Sequence, residues 1–344
     1  MNDELVEVFA PGRVNLIGDH TDTTGGFVLP MAVDLGTTIV ARRGHTRVVL
    51  ASGDAAGVAE VELDVVDPSS VEPAWARYVA GVVAELEPTT GLIGEARTTL
   101  PMGSGLSSSA ALEAAVALAL LGPTGSARTD RVTLAEVCQR AEHRASGVPC
   151  GIMDQLATLC GVAGHALLID CTTREITPIE VPGAAEIVVI DSGVRRELRS
   201  SPYAARKEQL VAAEVVMGSL RTATTADLER IDDDVLRRRA RHVVTENARV
   251  RAFAVALLAE DLAQAGDLMW DSHASLRDDF ECSVPEVDAI VQRLRETRGV
   301  HGARMTGAGW GGCVVALADP GTLSEGWRVR PWGGATVAAG GASP

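Results

Sequence analysis

Two glycines and four serines crowd the stretch Pro101-Met-Gly-Ser-Gly-Leu-Ser-Ser-Ser-Ala110. Gly103 and Gly105 let a backbone come close to a ligand, and Ser107, Ser108 and Ser109 add hydroxyls at the capping positions of the next element. The run over residues 95–100 alternates and reads as a strand, whereas the apolar run over residues 110–121 reads as a buried helix closed by Gly122-Pro123. The loop therefore opens onto a helix N-terminus, where backbone N–H groups lack partners and the dipole is positive. Such a place cradles anions, and phosphate is the usual guest. A ligand-free serine cap is the plainer reading of an arbitrary Gly/Ser turn; the density of both residues here favours phosphate. The candidate binding residues are Pro101, Gly103, Ser104, Gly105, Leu106, Ser107, Ser108, Ser109 and Ala110. No Gly-Lys-Ser/Thr comes after it, and the only lysine is Lys207, so this is not a Walker A loop; the glycine spacing also excludes a dinucleotide fingerprint.

A second cluster lies over residues 10–30, where Arg13, Asn15, Asp19, His20 and Asp22 sit among glycines and alternate with Val14, Leu16 and Ile17. The mixture predicts a partly buried loop that aims polar side chains into a pocket. The spacing lacks a second His or a Cys set, which argues against a metal centre. Hydrogen bonding to a polyol fits better, because carboxylates accept from pairs of hydroxyls. Asp154 falls in the first turn of a helix predicted to run to about residue 160, where the dipole favours its ionised form. Taken alone, that is an ordinary N-terminal helix charge. A Gly-rich turn over residues 302–316, containing Gly-Ala-Gly-Trp-Gly-Gly, reads as a link between two strands and is a weak signal by itself.

These residues need a frame, and the 344-residue chain is long enough for one large or two ordinary domains. Its hydrophobic content is 46% but aromatics are only 3%, so the core must be built of Ala, Val and Leu. The net charge of −15 argues against nucleic acid or an anionic membrane as the main partner, and any nucleotide site must draw its positive charge from arginine. Six cysteines without a C-x-x-C pair read as reduced thiols of a cytoplasmic protein. The acidic start shows no basic-apolar leader, and the run over residues 110–121 is too short to span a bilayer and carries Glu113. Strands are expected over residues 4–10, at several places in 33–62, and over 165–170, 175–181 and 186–191. Helices are expected over residues 72–85, over 133–146 with a Thr133/Glu136 capping box, over 202–217 and over 241–265. Residues 338–344 read as a loose tail.

The Pro101–Ala110 loop resembles the ATP loop of the GHMP kinases. The segment over residues 12–26 resembles the galactokinase signature within that family, with Asp19 in place of Glu, Thr23 of Tyr and Thr24 of Asn. The stretch Gly147-Val-Pro-Cys-Gly-Ile-Met-Asp-Gln155 and the Gly-rich turn, with Trp310 for the usual Phe, resemble further segments of the same family, and Trp75 to Gly81 resembles one near the nucleotide. The resemblance spans most of residues 10–317. It implies an α+β two-lobed GHMP kinase fold, with a ribosomal-protein-S5-like N-terminal lobe over residues 1–175, a ferredoxin-like C-terminal lobe over residues 176–344, and the active site between them.

The implied reaction is ATP-dependent phosphorylation of the C1 hydroxyl of α-D-galactose, a step of galactose metabolism. By the same resemblance Arg13, Asp19, His20, Asp22, Gly151, Asp154 and Tyr203 contact the sugar, Asp154 is the base beside the anomeric hydroxyl, and Ser109 and Glu142 hold Mg²⁺. Asp19 is one methylene shorter than the Glu that reaches the C6 hydroxyl in the family. Arg13 is the cation expected to offset charge developing on the transferred group. A kinase for a related sugar (N-acetylgalactosamine, arabinose or a uronic acid) is the alternative suggested by Asp19, Thr23 and Thr24. A non-catalytic galactose sensor is disfavoured by the complete Ser107–Ala110 stretch. A soluble monomer or weak homo-oligomer is expected.

Overall fold

The computed structural model describes residues 4–101, 103–195 and 202–339. Strand β1 (Leu5–Asn15) buries Val6, Val8 and Ala10 on one face, then runs on into the interior with both faces covered. It pairs antiparallel with β3 (Pro30–His45) and slips register between Pro11 and Arg13. The expected loop over residues 10–30 therefore begins only after Asn15, and Arg13 and Asn15 stand on a strand. Glycines and polar groups masked that strand from a periodicity reading, because the usual alternation is lost where neither face meets water.

Strands β4 (Arg47–Ser52), β5 (Val58–Glu62) and β6 (Gly91–Thr98) extend the sheet on one side, and β13 (Thr336–Ala339) completes it on the other, in the order β13-β1-β3-β6-β4-β5. Ala338 and Ala339, expected in a tail, belong to that last strand; residues 340–344 of the expected tail lie outside the described residues. Against the sheet lie α1 (Ala76–Leu86), α2 (Ser108–Arg128), α3 (Arg131–Ser146) and α4 (Met153–Cys160). Six buried alanines of α2 keep the layers close, and Gly81 lets α1 touch α3, since a Cβ there would stand 2.5 Å from the Ala141 carbonyl oxygen. Helix α2 is longer than expected: it kinks at Gly122 (φ 65°) and restarts at Pro123, which suits a first helical turn. Its length and composition would allow a membrane crossing, but two thirds of that apolar window is buried inside this fold. Helix α3 starts at Arg131 and is capped by Asp130, which accepts from the Thr133 N–H at 2.8 Å, instead of by the expected Thr133/Glu136 box.

A short sheet joins β2 (Phe27–Val28), β7 (His165–Asp170) and β8 (Ile176–Glu180). The boundary expected after residue 175 thus falls inside the β7–β8 hairpin. The second large sheet has the order β10-β11-β9-β12, from β9 (Glu186–Asp191), β10 (Val300–Thr306), β11 (Cys313–Ala318) and β12 (Trp327–Val329). The helices of this half are α5 (Tyr203–Met217), α6 (Asp234–Leu258), α7 (Leu262–Asp278) and α8 (Pro285–Arg295). The single helix expected over residues 241–265 is two. The chain breaks at Glu260, whose φ is 54°, and Asp261 caps α7 by accepting from the Gln264 N–H at 2.9 Å. One core cluster links the halves: Val14, Leu16 and Ile17 pack with Val250, Phe253, Cys313 and Val315. That seam fixes the end of β1 and the polar turn after it against β11, α6 and α7.

Candidate active site

A cleft between the halves is lined by the turn after β1, the loop before α2, the start of α4, the first residue of α5 and the turn after β10. Arg13 reaches it from β1. Its guanidinium makes a bidentate pair with Asp154, Nε to Oδ1 at 2.7 Å and Nη2 to Oδ2 at 2.8 Å, and Nη1 donates to the Gly105 carbonyl at 2.6 Å. One buried arginine therefore ties a carboxylate on α4 to the Gly/Ser loop. The planar fork suits this, since it serves two acceptors and stays charged.

The loop itself is built as an open cradle. Gly103 and Gly105 have φ 75°, and Ser107, the residue before α2, has φ 59°. The Ser107 hydroxyl does not cap the helix; it donates to Asp154 Oδ2. The first N–H groups of α2 are thus left without a side-chain cap, which is the condition for an incoming anion. Gly103, Gly105, Ser107, Ser108 and Ser109 line the cleft. Ser104, Leu106 and Ala110 are buried and stand outside the lining, as does half-buried Pro101; the Ser104 hydroxyl turns back to the Pro101 carbonyl at 2.7 Å. The side chains of those four pack within the loop and shape it.

Ser109 Oγ donates to Glu142 Oε1 at 3.0 Å, and the other oxygen of Glu142 accepts from Gln155 Nε2 at 2.6 Å. Burial and then the charge of Asp154 push the Glu142 carboxyl up. Ser109 and Glu142 offer two hard oxygens on the rim of the anion cradle, a set that fits Mg²⁺ because this ion takes few protein ligands and keeps water and phosphate oxygens. Among the described residues no group of three or more His, Cys, Asp or Glu could hold a metal ion without such outside ligands.

Asp19, His20, Asp22, Gly151 and Tyr203 all face the same cleft. His20 has φ 69° and stacks on Phe280, ring centroids 4.3 Å apart, with Tyr203 at 5.8 Å on another side. Asp22 begins a short 3-10 turn, and burial, then Asp154 and Asp19, push its carboxyl up to about 7 against the pull of Arg13. Gly151 must be glycine for contact reasons, since a Cβ there would lie 1.8 Å from Asp22 Oδ2. Burial, followed by the charge of Asp22, pushes the Tyr203 hydroxyl well up, so it stays a neutral donor and acceptor.

Several residues escaped the sequence reading. Arg195 comes after β9, and its Nη1 stands 2.7 Å from where a Cβ on Gly103 would be, giving the cradle a cation besides Arg13. Gln155 bridges Glu142 to buried Glu113, whereas Gly307 and Ala308, which line the cleft, belong to the Gly-rich turn already singled out over residues 302–316. An arginine after a strand is a signal only once the strand's neighbours are known. A second, more apolar cleft is lined by Trp75, Tyr78 and Leu112 and shares Ser108 and Ser109 with the first.

Comparison with known proteins agrees with this geometry. The family model described as the galactokinase galactose-binding signature matches residues 2–43, and those described as GHMP kinases N terminal domain and GHMP kinases C terminal match residues 77–162 and 253–328. The chain is 42% identical to the galactokinase of Canis lupus familiaris over 92% of this chain and 85% of that protein. It is 43% identical to the galactokinase of Homo sapiens over 91% and 83%. This chain belongs to the galactokinase family. The crystal structure of Lactococcus lactis galactokinase complexed with galactose superposes with a TM-score of 0.91 at 32% identity, covering 97% of this chain and 95% of that one. Methanococcus jannaschii mevalonate kinase, at 19% identity and a TM-score of 0.68, shares the fold. The two-lobed α+β GHMP kinase fold implied by the motifs is the fold observed.

Proposed function

We propose that this protein transfers the γ-phosphoryl group of ATP to the C1 hydroxyl of α-D-galactose, giving galactose 1-phosphate and ADP. The observation that carries the reading is the Arg13 fork, which joins Asp154 to the Gly105 carbonyl where the sugar-facing residues meet the phosphate cradle. Asp19, His20, Asp22, Tyr203 and the backbone at Gly151 take the sugar hydroxyls, and Asp154 takes or orients the C1 proton. The C1 oxygen bonds to the γ-phosphorus as the bond to the ADP oxygen breaks. A loose transition state asks the protein mainly for position and charge neutralisation. Arg13 supplies both, and the N–H groups at the start of α2 bind the phosphates. Ser109 and Glu142 would hold Mg²⁺, which when bound would neutralise charge on the phosphates. The cleft of Trp75, Tyr78 and Leu112 is the place for the adenine, continuous with the cradle through Ser108 and Ser109.

In this reading the lobes are residues 1–175 and 176–344, with β13 given back to the first sheet. The protein works as a soluble cytoplasmic monomer or weak homo-oligomer, in keeping with six cysteines that carry no disulfide. The test is ADP release with MgATP across galactose, 2-deoxygalactose, N-acetylgalactosamine, 6-deoxygalactose, arabinose, galacturonate and glucose, with the product checked by phosphorus NMR. Galactose should give the highest kcat/KM and a C1 phosphate ester. Stronger turnover of another sugar would replace the substrate, and galactose binding without turnover on any sugar would remove the catalytic reading.

A further inference from the structure

Glu113 is an acid set among the buried alanines of α2, and none of it meets solvent. It comes one helical turn after Ser109, so the two share a face of that helix. Among the described residues no basic side chain offsets the charge of Glu113 or of Glu142. Burial, then the charge of Glu142, pushes the Glu113 carboxyl well up, so it stands there neutral. An apolar side chain would be more stable at such a place. The acid is explained by what it holds.

That partner is Gln155, fully buried on α4 in the position after Asp154. Its Nε2 donates to Glu142 Oε2 at 2.6 Å and to Glu113 Oε2 at 3.4 Å, so one NH2 group uses both of its hydrogens. A flipped amide would set its oxygen against the Glu142 carboxylate, and the second acceptor on Nε2 makes that flip cost two hydrogen bonds. Glu142 Oε2 also accepts from Cys150 Sγ at 3.6 Å, and Oε1 accepts from Ser109 Oγ at 3.0 Å. Every one of these contacts brings a donor to Glu142, which suits the ionised form that a cation requires. Ser109, Glu142 and Cys150 line the cleft, whereas Gln155 and Glu113 stand behind the lining. The network therefore tethers Glu142 from the rear by Oε2 and leaves Oε1 beside Ser109. It also joins three helices, α2 through Ser109 and Glu113, α3 through Glu142 and α4 through Gln155.

We propose that Gln155, braced by Glu113, is a positioning residue for the divalent cation: it holds Glu142 by Oε2 so that Oε1 stays beside Ser109 Oγ, where the ion would bind. The proposal rests on the reading of Ser109 and Glu142 as the Mg²⁺ ligands. Mn²⁺ suits the same oxygen ligands and reports its own binding by electron paramagnetic resonance. Wild type, Gln155→Met, Glu113→Met, Glu113→Gln, Glu142→Gln and the Gln155→Met/Glu142→Gln pair are titrated with Mn²⁺·ADP, with ADP in EDTA and with galactose, and are melted without ligand. Gln155→Met should weaken Mn²⁺·ADP about tenfold to a hundredfold, the usual effect of losing a group that orients a metal ligand. Its affinities for metal-free ADP and for galactose should stay within about twofold. Glu113→Met should show the same selective loss, smaller in size. Glu113→Gln keeps an uncharged acceptor of the same shape and should recover most of it. The pair should bind Mn²⁺·ADP no worse than Glu142→Gln alone, because Gln155 acts through Glu142. Metal-free ADP or galactose affinity falling in step with Mn²⁺·ADP would reduce the network to packing between helices and overturn the proposal. Wild-type Mn²⁺·ADP affinity in Gln155→Met or in Glu113→Met would overturn it too. If Gln155→Met does not fold, the two Glu113 variants decide the same comparison. Wild-type affinity in Glu142→Gln would instead sink the metal reading beneath the proposal, and the proposal with it.

Discussion

Alanine at position 151 is the sharpest perturbation of the sugar site. Gly151 does not occupy the left-handed region, so its backbone accepts a side chain without strain. The new methyl carbon would lie 1.8 Å from Asp22 Oδ2 and 2.2 Å from its Cγ, whereas ordinary contact begins at 3.4 Å. The carboxylate must therefore retreat by roughly 1.6 Å, beyond the 1 Å at which misplacement already costs about 100-fold. We expect kcat/KM for galactose to fall by about 100-fold, or ~2.7 kcal/mol of transition-state stabilisation. ATP KM should stay within about twofold, because the cradle before α2 is untouched. The new carbon would also lie 2.8 Å from Asp22 Cβ, so the 3-10 turn must shift with the carboxylate. The about 0.4–1 kcal/mol that Gly→Ala adds through the unfolded chain offsets part of that cost, and the melting temperature should fall modestly. Gly183→Ala is the control, for a Cβ there meets nothing within 4 Å. Coupled ADP-release kinetics and thermal melts make the comparison. A Gly151→Ala enzyme within threefold of wild type on galactose, or one whose ATP KM rises in step, would refute the placement of Asp22 against the sugar.

Asp154→Asn should lower kcat by about 10³-fold while calorimetric galactose binding survives, because the base is lost but the sugar contacts are kept; turnover within tenfold of wild type would strip Asp154 of the role. Asp22 carries a folded value of about 7 against 3.8 ordinarily, so its contribution to stability is full below pH 4 and is lost as pH rises through 7. Ligand-free Asp22→Asn should consequently lose less melting temperature than wild type between pH 5 and pH 8; parallel profiles would contradict the assignment. Glu142→Gln should raise the Mg²⁺ concentration needed for half-maximal rate by about tenfold, and an unchanged Mg²⁺ titration would move the ion elsewhere.

Much of this protein is written locally. A left-handed backbone at Gly103 and Gly105, and a helix opening at Ser108, arise from residue types a few positions apart, so the cradle was legible. The strands over residues 165–191 were legible because they alternate and end at turns. The galactokinase signature marked Arg13 and Asp22, and the Gly147–Gln155 stretch marked Asp154, before any geometry was known. Tertiary structure decided what those groups do to one another. Arg13 and Asp154 are 141 residues apart, and Gly307 meets Asp19 across 288. Packing alone told that the Ser107 hydroxyl serves Asp154 and not the helix, that Arg195 stands over Gly103, and that Arg304 lies buried against Asp19. The break at Glu260 and the passage of β1 through Arg13 were hidden for a related reason: both depend on which faces are covered, not on the residues in the window. Backbone preference acts over one turn or one strand and leaves its mark in adjacent letters. Charge pairing acts through space, across whatever the fold brings together, and leaves none.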